Sequence, residues 1–86
     1  MVIGENEAKL NITVAGFNGD LPDPVSRDAS DEEVLRWGME AVRTGGVPGI
    51  PAQPMATFTD FVVRRYDPTP DVPFTRLMIV PKTALG

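Results

Sequence analysis

The sequence predicts an α+β fold, one helix packed on a small mixed β-sheet within a single domain. Three observations carry this. Lys9-Leu10-Asn11-Ile12-Thr13-Val14-Ala15 alternates strictly, with Leu10, Ile12 and Val14 on one face, the period of a half-buried strand. Ser30-Asp31-Glu32-Glu33 reads as a capping box, and Val34, Leu35, Gly38, Ala41 and Val42 then recur at helical spacing. Phe74 to Val80 forms another strand-like run, stopped by Pro81. With 86 residues there is room for one core, and a 42% hydrophobic content argues against wholesale disorder. Nine prolines and eight glycines, gathered between the periodic segments, indicate short elements joined by stiff loops.

Taken in order, residues 1–8 read as a flexible acidic lead-in, 9–81 as the domain and 82–86 as a tail. After the first strand, Asn18-Gly19 signals a hairpin turn. The return strand, about Leu21 to Arg27, is restricted to a short or edge strand by Pro22 and Pro24, which lack a donor. The helix is expected over 31–44. Its three acids suit the positive end of the dipole, Arg36 follows Glu32 by four residues in the order that favours an ion pair, and Gly45-Gly46 ends it. Trp37 flanks the apolar stripe as a partly buried packing residue. Val47 to Pro54 is a proline-rich loop from which Val47 and Ile50 plug the core. Thr57 to Tyr66 carries both helical spacing (Phe58, Phe61, Val62, Tyr66) and a β-prone Phe61-Val62-Val63. The preferred reading is one turn near 57–60 leading into a strand. Asp67 to Asp71 is a loop.

The chain has no histidine and no cysteine, which removes disulfides, thiolate metal sites and the usual proton shuttle. Ser26 and Ser30 have no histidine to activate them, and Lys9 and Lys82 fall near strand ends, so no catalytic residue is expected. Asp28, Asp31, Glu32 and Glu33 serve the helix start, and Asp20 and Asp23 are turn residues, so no metal is expected. Gly45-Gly46 lacks the spacing and lysine of a phosphate loop, and no cofactor is expected. A net charge of −4 disfavours nucleic acid and anionic membranes as partners. The opening Met1 to Glu7 lacks the basic and apolar segments of a secretory signal, and no apolar run reaches the roughly 18–20 residues of a membrane span, so the expected location is cytoplasmic.

Certain motifs add a resemblance. Ala29-Ser30-Asp31-Glu32-Glu33-Val34 is similar to the Pro-Ser-Asp start of the single helix in ubiquitin-like proteins. Gly46-Val47-Pro48 and Gly49-Ile50-Pro51 are similar to the Gly-Ile-Pro that follows that helix, and Thr57-Phe58-Thr59-Asp60-Phe61 to the Thr-Leu-Ser-Asp-Tyr turn before the last strand. The chain thus resembles the ubiquitin-like family, and the resemblance implies a β-grasp fold, recognition of proteins through the sheet face, and a functional C-terminus at Gly86. Two departures stand out. No room exists between Pro51 and Thr57 for the family's middle hairpin, whose place falls to a hairpin around 60–80. The chain also ends Ala84-Leu85-Gly86, with one glycine where conjugated members show two.

If Phe61, Val63, Leu77 and Ile79 face the helix, alternation turns Val62, Arg64, Tyr66, Arg76, Met78, Val80 and Lys82 outward. That makes an apolar centre with a basic rim on an acidic protein, built from residue types enriched at interfaces. The expected function is a non-catalytic protein-interaction module, monomeric or weakly homo-oligomeric, binding a protein partner through Val62, Arg64, Tyr66, Arg76, Met78 and Val80. Two alternatives stand beside it. One is a modifier or sulfur carrier acting through Gly86, which requires a mobile tail and an activating enzyme. The other is a structural or assembly component, viral or oligomeric, marked by concentration-dependent self-association.

Overall fold

The computed structural model describes residues 3–82. The fold is α+β: one helix lies across one face of a mixed five-stranded sheet. The elements are β1 (Glu7–Val14), β2 (Phe17–Asp20), β3 (Val25–Ser26), α1 (Asp31–Thr44), β4 (Phe61–Tyr66) and β5 (Thr75–Pro81). The sheet runs β2-β1-β5-β4, and β3 pairs with the start of β1. β1 and β5 are parallel, while β1–β2 and β4–β5 are antiparallel. A parallel pair needs a crossover, and α1 provides it. The two central strands also supply half of the buried apolar core. Ala8, Leu10, Ile12 and Val14 of β1 and Leu77 and Ile79 of β5 are buried beneath Val34 and Val42 of the helix. Burial of each large aliphatic side chain contributes roughly 1.5–3 kcal/mol.

The helix forms where its caps predict. The Glu33 amide donates to the Ser30 hydroxyl at 3.1 Å and the Ser30 amide to the Glu33 carboxylate at 3.3 Å, closing the capping box. At the other end Gly45 sits in the left-handed region (φ 74°), and the Gly46 amide donates to the Ala41 carbonyl at 2.8 Å. Gly38 faces the sheet, where a Cβ would collide with Cδ1 of Ile79, so glycine sets how closely helix and sheet approach. Trp37 packs half-buried at the core margin, and Val47 and Ile50 are buried from the loop as expected. The expected Glu32–Arg36 pair does not form: both side chains are exposed, and the acid that finds a cation is Asp31, paired with Arg65 of β4.

The hairpin departs from the sequence reading. Val14 pairs directly with Phe17, so the two-residue turn is Ala15-Gly16, both at positive φ (50° and 83°), and Asn18-Gly19 lies within β2. Asn18 instead bonds side chains of β1, and Gly19 lets the Pro48 carbonyl approach where a Cβ would clash. The return strand of about 21–27 contracts to β3, directly after Pro24. β1 starts at Glu7, inside the segment read as a lead-in, because Ala8 is fully buried and paired with both Val25 and Thr75. Residues 57–60 are not helical. A turn closed by the Phe61 amide on the Phe58 carbonyl at 3.3 Å leads into β4, and the two rings stack at 4.5 Å.

Candidate interaction surface

The helix covers one face of the sheet, and the register of β4 and β5 fixes what the other presents. Val63 opposes Ile79 and Arg65 opposes Leu77 on the helix side, while Val62 opposes Val80, Arg64 opposes Met78 and Tyr66 opposes Arg76 on the outer side. All six residues expected to bind a partner therefore share the outer face. Val62, Arg76, Met78 and Val80 are half-buried, and Arg64 and Tyr66 are exposed. Lys82 lies just past β5 and is exposed, its amide bonded to the Asp60 carbonyl at 2.7 Å.

The adjacent arginines of β4 have opposite fates. Arg65 reaches back across the helix start, its Nη2 donating to Asp31 Oδ1 at 2.6 Å and to the Ala29 carbonyl at 2.8 Å. It thereby ties β4 to the segment entering α1. Arg64 makes no ion pair or hydrogen bond among the described residues. Arg76 lays its guanidinium over the Tyr66 ring, with Cζ 5.3 Å from the centroid, a cation–π contact worth about 0.5–1 kcal/mol near a surface. Its Nε is sealed from solvent with no acceptor, a deficit of roughly 1–3 kcal/mol. Alternation on its own did not reveal that stacking, since it depends on Tyr66 and Arg76 being directly opposite.

On β1 and β2 the same face is closed on itself. Asn11 donates to Asp20 at 2.8 Å and to Asn18 at 3.0 Å, Asn18 donates to Asn11 and Thr13 at 2.8 Å each, and Lys9 pairs with Asp20 at 3.2 Å. Between the two halves lies a hollow of about 300 Å³, with Asn11 and Asp20 on one side and Phe74, Arg76 and Met78 on the other. This ladder gives Asp20 a structural partner. Sequence reading missed it because its donors come from two strands whose register the misplaced turn obscured.

The other sequence candidates fall elsewhere. Gly86 lies outside the described residues. Asp31 and Glu33 serve the helix start and the Arg65 clamp. Among the described residues no group of three or more acidic side chains is arranged to hold a metal ion, and no helix is long and apolar enough to cross a membrane. No family model, curated protein or solved structure matches the chain.

Proposed function

We propose that this chain is a β-grasp domain of ubiquitin-like type that acts as a non-catalytic protein-interaction module. Its partner docks on the outer face of β4 and β5 and presents an apolar centre flanked by carboxylates. The β-grasp reading is supported by the antiparallel β1–β2 hairpin, the single crossover helix and the parallel β1–β5 pair at the sheet centre. The observation that carries the docking reading is the contrast among three arginines. Arg65 is fully engaged inside the domain, whereas Arg64 and Arg76, flanking Met78 and Val62, have no internal acceptor. An unpaired, partly desolvated guanidinium beside apolar side chains suits a carboxylate, which it can bind in bidentate fashion. Arginine and aromatic side chains are also those on which interface energy concentrates.

Capture from native lysate with an N-terminally tagged chain, compared with an Arg64→Glu/Arg76→Glu chain, tests this. Partners held by the parent chain and lost by the variant support the docking face. Retention of every partner by the variant rejects it. Species that survive denaturing washes through a bond at Gly86 replace it with the modifier or carrier reading.

A further inference from the structure

The two edges of the sheet are finished differently. The β2 edge has four residues and is overhung by the 47–50 loop, whose Pro48 carbonyl and Gly49 lie against Gly19 and Asn18. The β4 edge has six residues, contains no proline, and begins with the apolar run Phe61-Val62-Val63. Which of its backbone groups are free follows from the ladder. The Lys82 amide donates to the Asp60 carbonyl, so Asp60 and Lys82 form a hydrogen-bonded pair, and by alternation so do Val62–Val80, Arg64–Met78 and Tyr66–Arg76. The N–H and C=O groups of Phe61, Val63 and Arg65 therefore point away from β5. The Phe61 amide, bonded back to the Phe58 carbonyl, agrees with that direction. Among the described residues no acceptor is found for the Val63 or Arg65 amide, leaving a template for another strand.

We infer that this edge pairs with β4 of a second copy of the chain, antiparallel about a two-fold axis at Val63, joining two sheets into one. The side chains select both occupant and register. Outward-pointing backbone groups must meet outward-pointing groups, so only registers opposing odd-numbered to odd-numbered residues are allowed. Of these, the ones centred on Val63 and on Arg64 each keep five strand residues opposed. Centring on Arg64 stacks Arg64 on its own copy, a like-charge pair directly opposite. Centring on Val63 sets Val63 on Val63, Phe61 against Arg65, and Val62 against Arg64. It also brings Asp60 into the diagonal position beside the other copy's Arg64 on the outer face, an opposite-charge contact repeated by symmetry. Arg65 does not block the approach, since its guanidinium is drawn onto Asp31 and the Ala29 carbonyl. The dimer goes beyond the docking function: it sets two β4–β5 outer faces side by side, so that one partner could be held twice.

The absence of cysteine allows a direct test. In this register Val62 and Arg64 of opposite copies form a non-hydrogen-bonded pair with Cα atoms about 4.5 Å apart, within disulfide range. Mild oxidation of an equal mixture of Val62→Cys and Arg64→Cys chains is expected to give a covalent mixed dimer in several-fold excess over either chain alone. Sedimentation of the parent chain should show the mass rising from 9.3 kDa towards twice that value between about 10 and 500 µM, the range of a small, weak interface. Val63→Pro removes the outward N–H together with a side chain packed against the core, so it should be monomeric and somewhat less stable, with circular dichroism checking that the fold is kept. A parent chain monomeric throughout, or cross-linking of Val62→Cys or Arg64→Cys alone as efficient as in the mixture, overturns the inference.

Discussion

On β1 and β2, the polar side chains of the outer face (Lys9, Asn11, Thr13, Asn18 and Asp20) bond among themselves. One strand away, Arg64 and Arg76 have no internal acceptor. The halves share a sheet and a solvent, and on this outer face they differ in side-chain chemistry. A closed polar ladder fixes register and gains nothing from a partner, because breaking its bonds to make others returns little net energy. The β4–β5 half has guanidinium groups with no internal acceptor next to apolar surface, where a partner's carboxylate would displace only water and break no bond within the fold. On the proposed function, one half of the face holds the fold and the other serves recognition.

The largest expected effect removes the platform both halves share. Gly38→Val drives a side chain into Ile79, Phe58 and Ile12 and should cost about 3 kcal/mol, read as a fall in thermal midpoint with loss of partner binding. The next separates the halves. Arg64→Glu/Arg76→Glu should weaken partner affinity by about 100-fold in a titration, as for desolvated charged contacts, while lowering the thermal midpoint by only about 2–8 °C through loss of the Arg76–Tyr66 contact. Asn11→Ala is its mirror image. It breaks three side-chain bonds on the ladder and should cost about 1–2 kcal/mol in a denaturant melt, with affinity unchanged. The smallest effect has the opposite sign. Arg76→Met deletes a buried Nε without an acceptor while keeping an apolar stem on Tyr66. It should raise stability by up to about 1 kcal/mol and still impair binding, the mark of a residue kept for function.

Much of this was legible from local chemistry. Ser30, Glu33 and Gly45 fix the ends of α1 through contacts with their own neighbours, so the sequence alone bounds the helix. The outer residues of β4 and β5 follow from alternation because both strands are regular and neither is bulged. The turn was misplaced because Asn18-Gly19 is the stronger local signal, while its actual use is tertiary: Gly19 admits the Pro48 carbonyl and Asn18 joins the ladder. Ala15 carries a positive φ that nothing in its identity announces. The Arg65 clamp and the Arg76–Tyr66 stack escaped for the same reason, since each joins residues whose meeting depends on the folded register.

The most direct test of the central claim is amide chemical-shift mapping of the labelled chain titrated with a captured partner. The account predicts perturbations concentrated at Val62, Arg64, Tyr66, Arg76, Met78 and Val80, with Asn11, Thr13 and Asn18 unmoved. Perturbations concentrated on the β1–β2 ladder, or on Leu35 and Met39 of the helix, would contradict it.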